Sequence, residues 1–305
     1  MRGQRGVALV LVLWVSVLLT VVASSFIVER RTDAIIVRNS ISLARAEGAA
    51  DAGVHRGIYD MYRSDNAPER WKRDGSVQEW SFGSIPVRVE MRDESAKIDI
   101  NTASEPLLRG LLTSSGLGDQ DAARLLDAIL DWRDPDALKR PNGAEEPDYR
   151  DAGLPYKPAN SAFQAIEELQ LVLGMRPDLY RRLAPSITVF SRQPGVNPQI
   201  ASREVLLAIP GLTPEIVDRY IVDREEARRQ GLPLPALPQA GGIASGTSMV
   251  ATIRSEARLD DGMLFVREAV ALLRPVPRKA VTFLSWREST AGAVLPPAAG
   301  AQEPR

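Results

Sequence analysis

The amino-terminal segment at residues 5–28 reads RGVALVLVLWVSVLLTVVASSFIV, and after Arg5 it contains no charged residue. The uncharged run from Val7 to Val28 is 22 residues long. As an α-helix it would extend about 33 Å, which is enough to cross the hydrocarbon core of a bilayer. Arg2 and Arg5 precede it without an acidic residue. We therefore expect a cytoplasmic amino terminus, with the chain after residue 28 on the other side of the membrane.

Three interpretations of this segment compete. A cleaved secretory signal peptide has an apolar region of about 7–15 residues and a cleavage site between small residues. Ala23-Ser24-Ser25 would provide such a site. A plain membrane anchor requires only the apolar run itself. The third interpretation is a longer helix that starts in the membrane and continues into the rest of the protein.

The residues that follow favour the long helix. No Pro occurs between Glu29 and Tyr62, and the apolar run itself begins directly after a Gly, in Arg5-Gly6-Val7. Apolar residues recur at roughly helical spacing beyond the run: Ile35, Ile36, Ile41, Leu43, Ala46, Ala50, Val54, Ile58 and Met61. We predict one helix to about residue 62, apolar in its first half and amphipathic in its second.

The composition excludes several classes of chemistry. The 305 residues include no Cys and one His, His55, which rules out disulfides, thiol catalysis and multi-histidine metal sites. A bound metal would therefore be held by oxygen atoms, which favours Ca²⁺ or Mg²⁺. Lys and Arg total 38 and Asp and Glu total 39, so the whole chain has no strong attraction to nucleic acid. We assign His55 no chemistry.

Alternating segments near both ends of the chain predict one sheet that is interrupted by an insertion. Apolar and polar side chains alternate at residues 85–91, 96–100, 249–258 and 263–273. The last two segments flank Asp260-Asp261-Gly262, which is a tight-turn sequence. We expect the sheet to cover the amphipathic half of the long helix, because that apolar stripe otherwise has no partner.

Polar and Pro- or Gly-rich segments predict the connections. Residues 63–80 are polar and contain Pro68 and Gly75, so we expect a loop there. Residues 232–247 are dense in Pro and Gly and are expected to return the chain from the insertion to the sheet.

The insertion contains an internal repeat of helical hairpins. Three times an apolar helical stretch ends at a Gly and an apolar residue, and a second helix follows; the turns are Gly116-Leu117, Gly174-Met175 and Gly211-Leu212. Gly permits the positive φ that ends a helix, and Pro177 and Pro214 suit the first turn of the next one. Each unit is similar to a helix-hairpin-helix motif.

Charge argues against DNA as the ligand of this repeat. Helix-hairpin-helix motifs often bind DNA by cradling a phosphate with backbone amides. Residues 97–230 carry 17 Lys and Arg against 21 Asp and Glu, a net charge of 17 − 21 = −4. A domain that neutralises several phosphates is normally basic. We therefore interpret the repeat as a packing unit and predict no nucleic-acid partner.

Residues 131–151 form an acidic segment with seven carboxylates in 21 residues. Pro135, Pro141, Gly143 and Pro147 interrupt regular structure there. Ca²⁺ takes about six to eight oxygen ligands from such loops, although the spacing is not that of an EF-hand. A solvated acidic loop and the paired catalytic carboxylates of an exported hydrolase are the alternatives.

The amino-terminal layout resembles that of type IV pilin-like subunits. In that family a prepilin peptidase cuts after the Gly and the new first residue is methylated, which implies cleavage between Gly6 and Val7. The family usually has Glu at the fifth mature position, where this chain has Leu11. A carboxylate in the membrane is energetically costly unless it is paired. The family pairs it with the amino terminus of a neighbouring subunit, so a subunit at the end of the filament need not carry one.

The absence of this Glu narrows the resemblance to the minor pseudopilin K family of type II secretion, whose members lack it and are unusually large. The resemblance extends to about residue 288 and includes Phe283-Leu284-Ser285-Trp286-Arg287-Glu288, which we expect to form an edge strand or a docking tail. Beyond it, residues 289–305 are rich in Ala, Gly and Pro.

The acidic segment also resembles the pseudopilin K family, whose members bind Ca²⁺ there. A helix ends in Asp-Trp-x-Asp, and Gly-Ala-Glu with a further acid then precedes Tyr149. The resemblance implies Ca²⁺ as a cofactor, with ligands among Asp131, Asp134, Asp136, Glu145, Glu146 and Asp148. Asp134, Glu145 and Glu146 are the first candidates, because they flank the Pro/Gly turn that would bring two chain segments to one ion.

The resemblance implies a minor pseudopilin at the tip of the type II secretion pseudopilus that nucleates assembly and aids export of folded proteins across the outer membrane. It implies no enzyme activity. Its partners would be the other minor pseudopilins (I and J types), the major pseudopilin, the prepilin peptidase, the inner-membrane assembly platform and the lipid bilayer. It would be a single-pass protein of the bacterial inner membrane with its bulk in the periplasm. The alternative is a membrane-anchored periplasmic interaction protein unrelated to secretion.

The expected fold is α+β, with a pilin-like long helix on a small antiparallel sheet and a large inserted all-α domain of helix-hairpin-helix-like repeats. The expected divisions are a leader peptide at 1–6, the transmembrane half of the helix at 7–28, the pilin-like domain at 29–96 and 248–288, the inserted domain at 97–231, a linker at 232–247 and a disordered tail at 289–305.

Overall fold

The computed structural model has the predicted α+β organisation, with a long amino-terminal helix, an antiparallel sheet and further helices. It describes residues 5–63, 67, 69–237, 241–244, 246–273 and 281–289. At 5–8 and 26–29 the description covers the backbone alone. Most of the expected leader, and the expected tail beyond Ser289, lie outside the described residues.

Helix α1, Arg5–Tyr62, is continuous over 58 residues and confirms the predicted fusion of the apolar run with the amphipathic segment. Its described side chains are exposed as far as Ile41, and buried positions then recur at helical spacing: Ala46, Ala49, Ala50, Val54, Ile58 and Met61. A Cβ at Gly53 would lie 2.2 Å from Oγ of Ser255 and 2.8 Å from Cγ1 of Val87. Glycine at this position therefore allows α1 to approach the sheet closely.

The described residues form seven strands: β1 (Asp74–Phe82), β2 (Ile85–Asp93), β3 (Ile98–Asp99), β4 (Ile187–Thr188), β5 (Val250–Arg258), β6 (Leu264–Leu273) and β7 (Val281–Glu288). Five of them form one antiparallel sheet in the order β1-β2-β5-β6-β7. Strands β2 and β5 are neighbours although residues 94–249 separate them, which confirms the predicted insertion. The turn at Asp260-Asp261-Gly262 and the edge position of β7 are also confirmed.

The prediction of a loop over residues 63–80 is wrong for its second half, which belongs to edge strand β1. The side chains of β1 are half-buried or exposed, so no apolar alternation marks the strand. Its pairing with β2 depends on backbone hydrogen bonds, and the register shifts between Asp74 and Val77. The alternation at 96–100 likewise produced only the two-residue strand β3, which pairs in parallel with β4 outside the main sheet.

The regular structure of the insertion is mainly helical, and the insertion has its own core. Its helices are α2 (Glu105–Ser114), α3 (Asp119–Arg133), α4 (Glu146–Asp151), α5 (Pro177–Leu183), α6 (Arg203–Leu207) and α7 (Pro214–Gln230). Their buried apolar faces form one cluster, separate from the cluster between α1 and the sheet. The turns at Gly116, Gly174 and Gly211 all have positive φ (94°, 90° and 86°). The second turn follows a 3₁₀ helix at Ile166–Leu171, whereas α-helices precede the other two.

Two buried carboxylates connect the two cores where the chain leaves β2. Oδ1 of Asp93 accepts hydrogen bonds from the backbone N–H of Ser95 at 2.9 Å and of Ser248 at 2.8 Å, so it ties together the two ends of the insertion. Glu94 accepts hydrogen bonds from Nζ of Lys97 at 2.8 Å and from Oγ1 of Thr252 in β5 at 2.6 Å. It accepts a third from the hydroxyl of Thr188 in β4.

Glu94 is ionised in spite of its burial. Burial raises the pKa of its carboxyl, but the Lys97 ammonium and the hydroxyl donors outweigh that effect and hold the pKa below its ordinary value. The charged pair is therefore part of the folded junction.

Replacing Glu94 with Gln should lower the free energy of unfolding by about 3 kcal/mol near pH 7, because it leaves Lys97 without its counter-charge. The pKa of Glu94 is lowered in the folded state, so the carboxylate stabilises the fold above the unfolded pKa. That stabilisation is lost as the pH falls through the folded pKa. The difference between wild type and variant, measured by urea denaturation of the fragment 30–305, should shrink below about pH 4.5.

Two further variants control this measurement. Adding Lys97→Met to Glu94→Gln should recover part of the loss, since both partners are then neutral. Glu79→Gln should change stability by less than about 1 kcal/mol, because Glu79 is exposed on β1 and lies 3.9 Å from the half-buried Arg88 of β2. A Glu94→Gln difference that stays constant from pH 7 to pH 3 would contradict the assigned role of the charge.

Candidate functional site

Helix α1 exposes a long apolar surface. Within the described part of the chain it is the one helix that is long and apolar enough to cross a membrane, and its most apolar window is wholly exposed. Apolar exposure continues beyond that window, where Ile35, Ile36, Val37 and Ile41 are 48–58% exposed. A contiguous apolar surface of this kind marks an interaction with lipid or with protein.

The predicted cleavage site lies at the very start of this helix. Gly6 and Val7 belong to the first turn of α1, which begins at Arg5. Leu11 follows one turn later and is 60% exposed. The chain itself therefore does not bury the position at which pilin-like subunits usually carry Glu.

The acidic segment is folded around the carboxylate of Asp131. This residue lies in the last turn of α3 and is fully buried. Its Oδ2 accepts a hydrogen bond from the backbone N–H of Ala144 at 2.9 Å, and its carboxylate also accepts one from Arg140 N–H at 3.3 Å. A Cβ at Gly143 would lie 1.9 Å from Oδ2 of Asp131, so glycine is required where the loop returns.

Asp134 and Glu145 bring two more carboxylates to the same loop. Oδ1 of Asp134 and Oε1 of Glu145 are buried and accept no hydrogen bond from the described residues. Burial raises the pKa of Glu145, and the negative charges of Asp131, Asp134 and Asp136 raise it further. Burial and the charge of Asp136 likewise raise the pKa of Asp134. These four carboxylates therefore repel one another.

The remaining predicted ligands are placed differently. Asp136 is exposed, and its Oδ1 accepts a hydrogen bond from Leu138 N–H at 2.8 Å. Asp148 accepts a hydrogen bond from Lys139, which lowers the pKa of Asp148. The exposed Glu146 lies between two cationic side chains, Arg150 and Lys157, each at 3.4 Å. Glu146 and Asp148 are thus turned towards cations in this structure.

The oxygen ligands of the loop are suitable for a cation, but their present positions do not form a coordination site. Among the described residues, no group of three or more acidic or His side chains is already arranged to hold a metal ion. However, two buried carboxylate oxygens lack partners, and an all-oxygen donor set is the one that Ca²⁺ prefers. Side-chain rotation, backbone carbonyls and water would have to complete the coordination.

An aromatic cluster beneath the loop was missed by sequence reasoning. Trp132 stacks on Phe163 with ring centroids 6.0 Å apart, and Tyr149 lies 6.1 Å from Trp132. The hydroxyl of Tyr149 accepts a hydrogen bond from Leu173 N–H at 3.0 Å, and burial raises the pKa of Tyr149 to about 12. The available signal was the position of Trp132 and Tyr149, each directly after an acidic residue.

Sequence reasoning also missed Arg267 of β6, which forms ion pairs with two acidic residues of α1. Its Nε and Nη2 donate hydrogen bonds to Asp51 and Glu47 of α1, both at 2.6 Å, and its guanidinium lies 5.2 Å from the Trp286 ring centre. The imidazole of His55 is exposed and packs 5.9 Å from the same ring. A lone Arg in an alternating strand gives no sign of such a partner in the sequence.

Comparisons with known proteins relate this sequence to one family. A family model described as type II secretion system (T2SS), protein K, matches residues 89–194, which include the second half of β2 and the acidic loop. A type II secretion system protein K from Pseudomonas aeruginosa is 28% identical over 243 residues, covering 71% of this chain and 72% of the relative. The corresponding protein from Aeromonas hydrophila is 28% identical over 275 residues, covering 79% of this chain and 78% of the relative.

A solved structure has the same fold. It is a chain in the crystal structure of the GspK–GspI–GspJ complex from the type 2 secretion system of enterotoxigenic Escherichia coli, with a TM-score of 0.55 and 15% sequence identity. The similarity covers 86% of this chain and 100% of that chain.

Proposed function

The chain belongs to the type II secretion system protein K family and has a minor pseudopilin role in type II secretion, and we propose that it acts at the tip of the pseudopilus. There it nucleates assembly with other minor pseudopilins and aids export of folded proteins across the outer membrane. The main support for the proposal is the structure of α1. This 58-residue helix exposes its side chains in its first part and packs on a sheet in its second. Such a helix serves both as an anchor and as an assembly surface.

Two features support the tip position. Leu11 has no carboxylate to pair with the amino terminus of a neighbouring subunit, so the chain lacks the group that a repeating position requires. The helical insertion between β2 and β5 also adds bulk at the end of the sheet that would obstruct stacking of identical subunits. Since the solved relative is part of a GspK–GspI–GspJ complex, I- and J-type minor pseudopilins are the first partners that we assign.

The remaining assignments follow from the same proposal. The apolar half of α1 spans the bacterial inner membrane once, with the amino terminus in the cytoplasm and the bulk of the chain in the periplasm. The prepilin peptidase, the assembly platform and the major pseudopilin are further partners. The helical hairpins of the insertion serve packing, and the protein acts through assembly without a catalysed reaction. An interaction protein unrelated to secretion would not explain the family match.

Calcium is the cofactor that we propose for the acidic loop. Asp131, Asp134, Asp136 and Glu145 would hold the ion, and the bound charge would offset the repulsion among them. Glu146 and Asp148 would join only by leaving their cationic partners, so we rank them lower. Bound Ca²⁺ would fix the loop against α3 and so stiffen the insertion.

The mature chain should begin at Val7. The proposed cleavage needs a small residue at the cleavage site, so replacing Gly6 with a bulky residue such as Leu should block both cleavage and assembly. Mass spectrometry of the purified membrane protein measures the amino terminus, and Gly3→Leu is the control. A mature chain that begins at Ser25 or Phe26 would instead show an ordinary signal peptide.

The full-length chain should co-purify with the other minor pseudopilins and should form no filaments when produced alone. Ile36→Asp on the exposed part of α1 should reduce co-purification, because it places a charge in the assembly surface. Val222→Asp, at an exposed apolar position on α7, is the matched control and should have no effect. Electron microscopy showing homopolymeric filaments would exclude a tip subunit.

Excess Ca²⁺ should raise the thermal stability of the fragment 30–305 relative to the chelated protein. The stabilisation is about 2.7 kcal/mol at a hundredfold excess over Kd, and Mg²⁺ should substitute poorly. Asp134→Asn with Glu145→Gln should abolish the calcium-dependent shift, whereas Asp151→Asn in the same segment should retain it. An unchanged melting temperature with no calcium by elemental analysis would leave the segment as a solvated acidic loop.

A further inference from the structure

A row of arginines follows one face of α1 between its apolar run and the sheet. We call residues 30–45 the neck, which ends where Ala46 first packs on the sheet. Arg31, Arg38 and Arg45 occur in it at seven-residue intervals, and all three are exposed. In a straight α-helix, residues seven apart lie on one face with a drift of about 20°. The three guanidinium groups therefore form a basic stripe.

The described part of the chain provides this stripe with no close counter-charge. No carboxylate among the described residues lies within 4.0 Å of Arg31, Arg38 or Arg45. Arg45 is near enough to Asp261 to help lower the pKa of that residue, after the hydrogen bonds from Ser42 and Met263. The charges of Arg31 and Arg38 thus face solvent, whereas the charge of Arg45 is partly offset by Asp261.

Lipid headgroups do not explain the stripe, because most of it lies too far from the membrane. At a rise of 1.5 Å per residue, Arg31 lies about 5 Å beyond Val28, Arg38 about 15 Å and Arg45 about 26 Å. The headgroup layer on one side of a bilayer is about 5–8 Å thick. Only Arg31 is therefore within reach of lipid phosphates.

The α1 helix of a second copy of this chain does not fit the stripe either. Of the acidic residues on α1 with described side chains, Glu47 and Asp51 are paired with Arg267 of β6. Asp60 is paired with Arg56 and Arg63. Asp33 remains, and one carboxylate makes no matching row.

We infer that the basic stripe docks against a helix of another pseudopilin subunit that carries carboxylates at matching seven-residue spacing. This rests on the proposed function and adds the chemistry of the partner. Side-by-side helices meet at such intervals, and the exposed Ile35 and Ile41 of the neck supply apolar contact beside the charges. Opposite charges at the rim of an interface determine the partner and its register more than the affinity. The stripe therefore selects which subunit lies next to this one.

The test uses the full-length chain co-produced with the other minor pseudopilins and purified from detergent-solubilised membranes at low salt. Changing Arg31, Arg38 and Arg45 together to Glu should reduce the recovered partner about tenfold, whereas changing them together to Lys should preserve it. Recovery with the wild type should fall as salt is raised. A triple Gln variant should show weaker recovery and little dependence on salt.

A matched control moves one charge without altering the composition. Arg38→Asn combined with Asn39→Arg keeps the net charge but turns the guanidinium by about 100° around the helix. This exchange should reduce recovery as much as Arg38→Asn alone. If the exchange instead behaves as the wild type does, net charge and not the stripe accounts for binding, and the inference is overturned.

The remaining outcomes are separable. If the wild type recovers its partners and the triple Glu variant recovers them equally well, the stripe has no docking role although the proposed function stands. If Arg31→Glu weakens recovery while Arg38→Glu and Arg45→Glu do not, the relevant charge faces lipid, and the inference is overturned. If the wild type recovers no minor pseudopilin, the proposed function itself is wrong.

Discussion

The buried carboxylates of Asp93 and Glu94 are the constraint on which the rest of the structure depends. An insertion between two neighbouring strands must leave and re-enter the sheet at nearly the same point, where the backbone is irregular and its N–H groups lack ladder partners. Asp93 accepts hydrogen bonds from N–H groups at both ends of the insertion, and Glu94 connects β5 with β4. Charged acceptors form stronger hydrogen bonds than neutral ones, which suits a joint between two separate cores.

The two halves of the molecule on either side of this junction pack in different ways. On one side, α1 is held against the sheet by small residues, by the close approach at Gly53 and by the ion pairs of Arg267 with Glu47 and Asp51. Glycine inside a helix lowers helix stability by about 1 kcal/mol relative to Ala. The apolar burial that the close contact permits offsets this loss. On the other side, the insertion packs on its own core. The exposed part of α1 thus extends from a part of the same helix that is packed on the sheet.

The sequence predicted those features that repeat along the chain. The uncharged run, the absence of Pro to Tyr62 and the Asp-Asp-Gly turn were enough for α1 and the β5–β6 hairpin. Strand β1 was missed because an edge strand with exposed side chains shows no alternation. The junction was missed as well, since Glu94 meets Thr252 only after folding, across 158 residues of chain.

The candidate site was predictable as a segment but not as a set of ligands. Density of carboxylates identified residues 131–151, yet spacing alone could not distinguish Glu145, whose buried Oε1 lacks a partner, from Glu146, which faces Arg150 and Lys157. Gly143 was noted only as a breaker of regular structure, whereas its lack of a side chain makes room for the Asp131 carboxylate.

The acidic loop holds the carboxylate of Asp131 by hydrogen bonds and leaves one oxygen each of Asp134 and Glu145 without a partner among the described residues. Backbone amides fix Asp131, and the stacked rings of Trp132 and Phe163 pack where the loop leaves α3. The free oxygens of Asp134 and Glu145 are consequently buried in place, although each charge would gain hydration by turning to water. A site that is ordered before binding loses little conformational entropy when an ion arrives. For the calcium ion that we propose, only Asp131 is held in this way, and the other ligands would still have to rotate towards the ion.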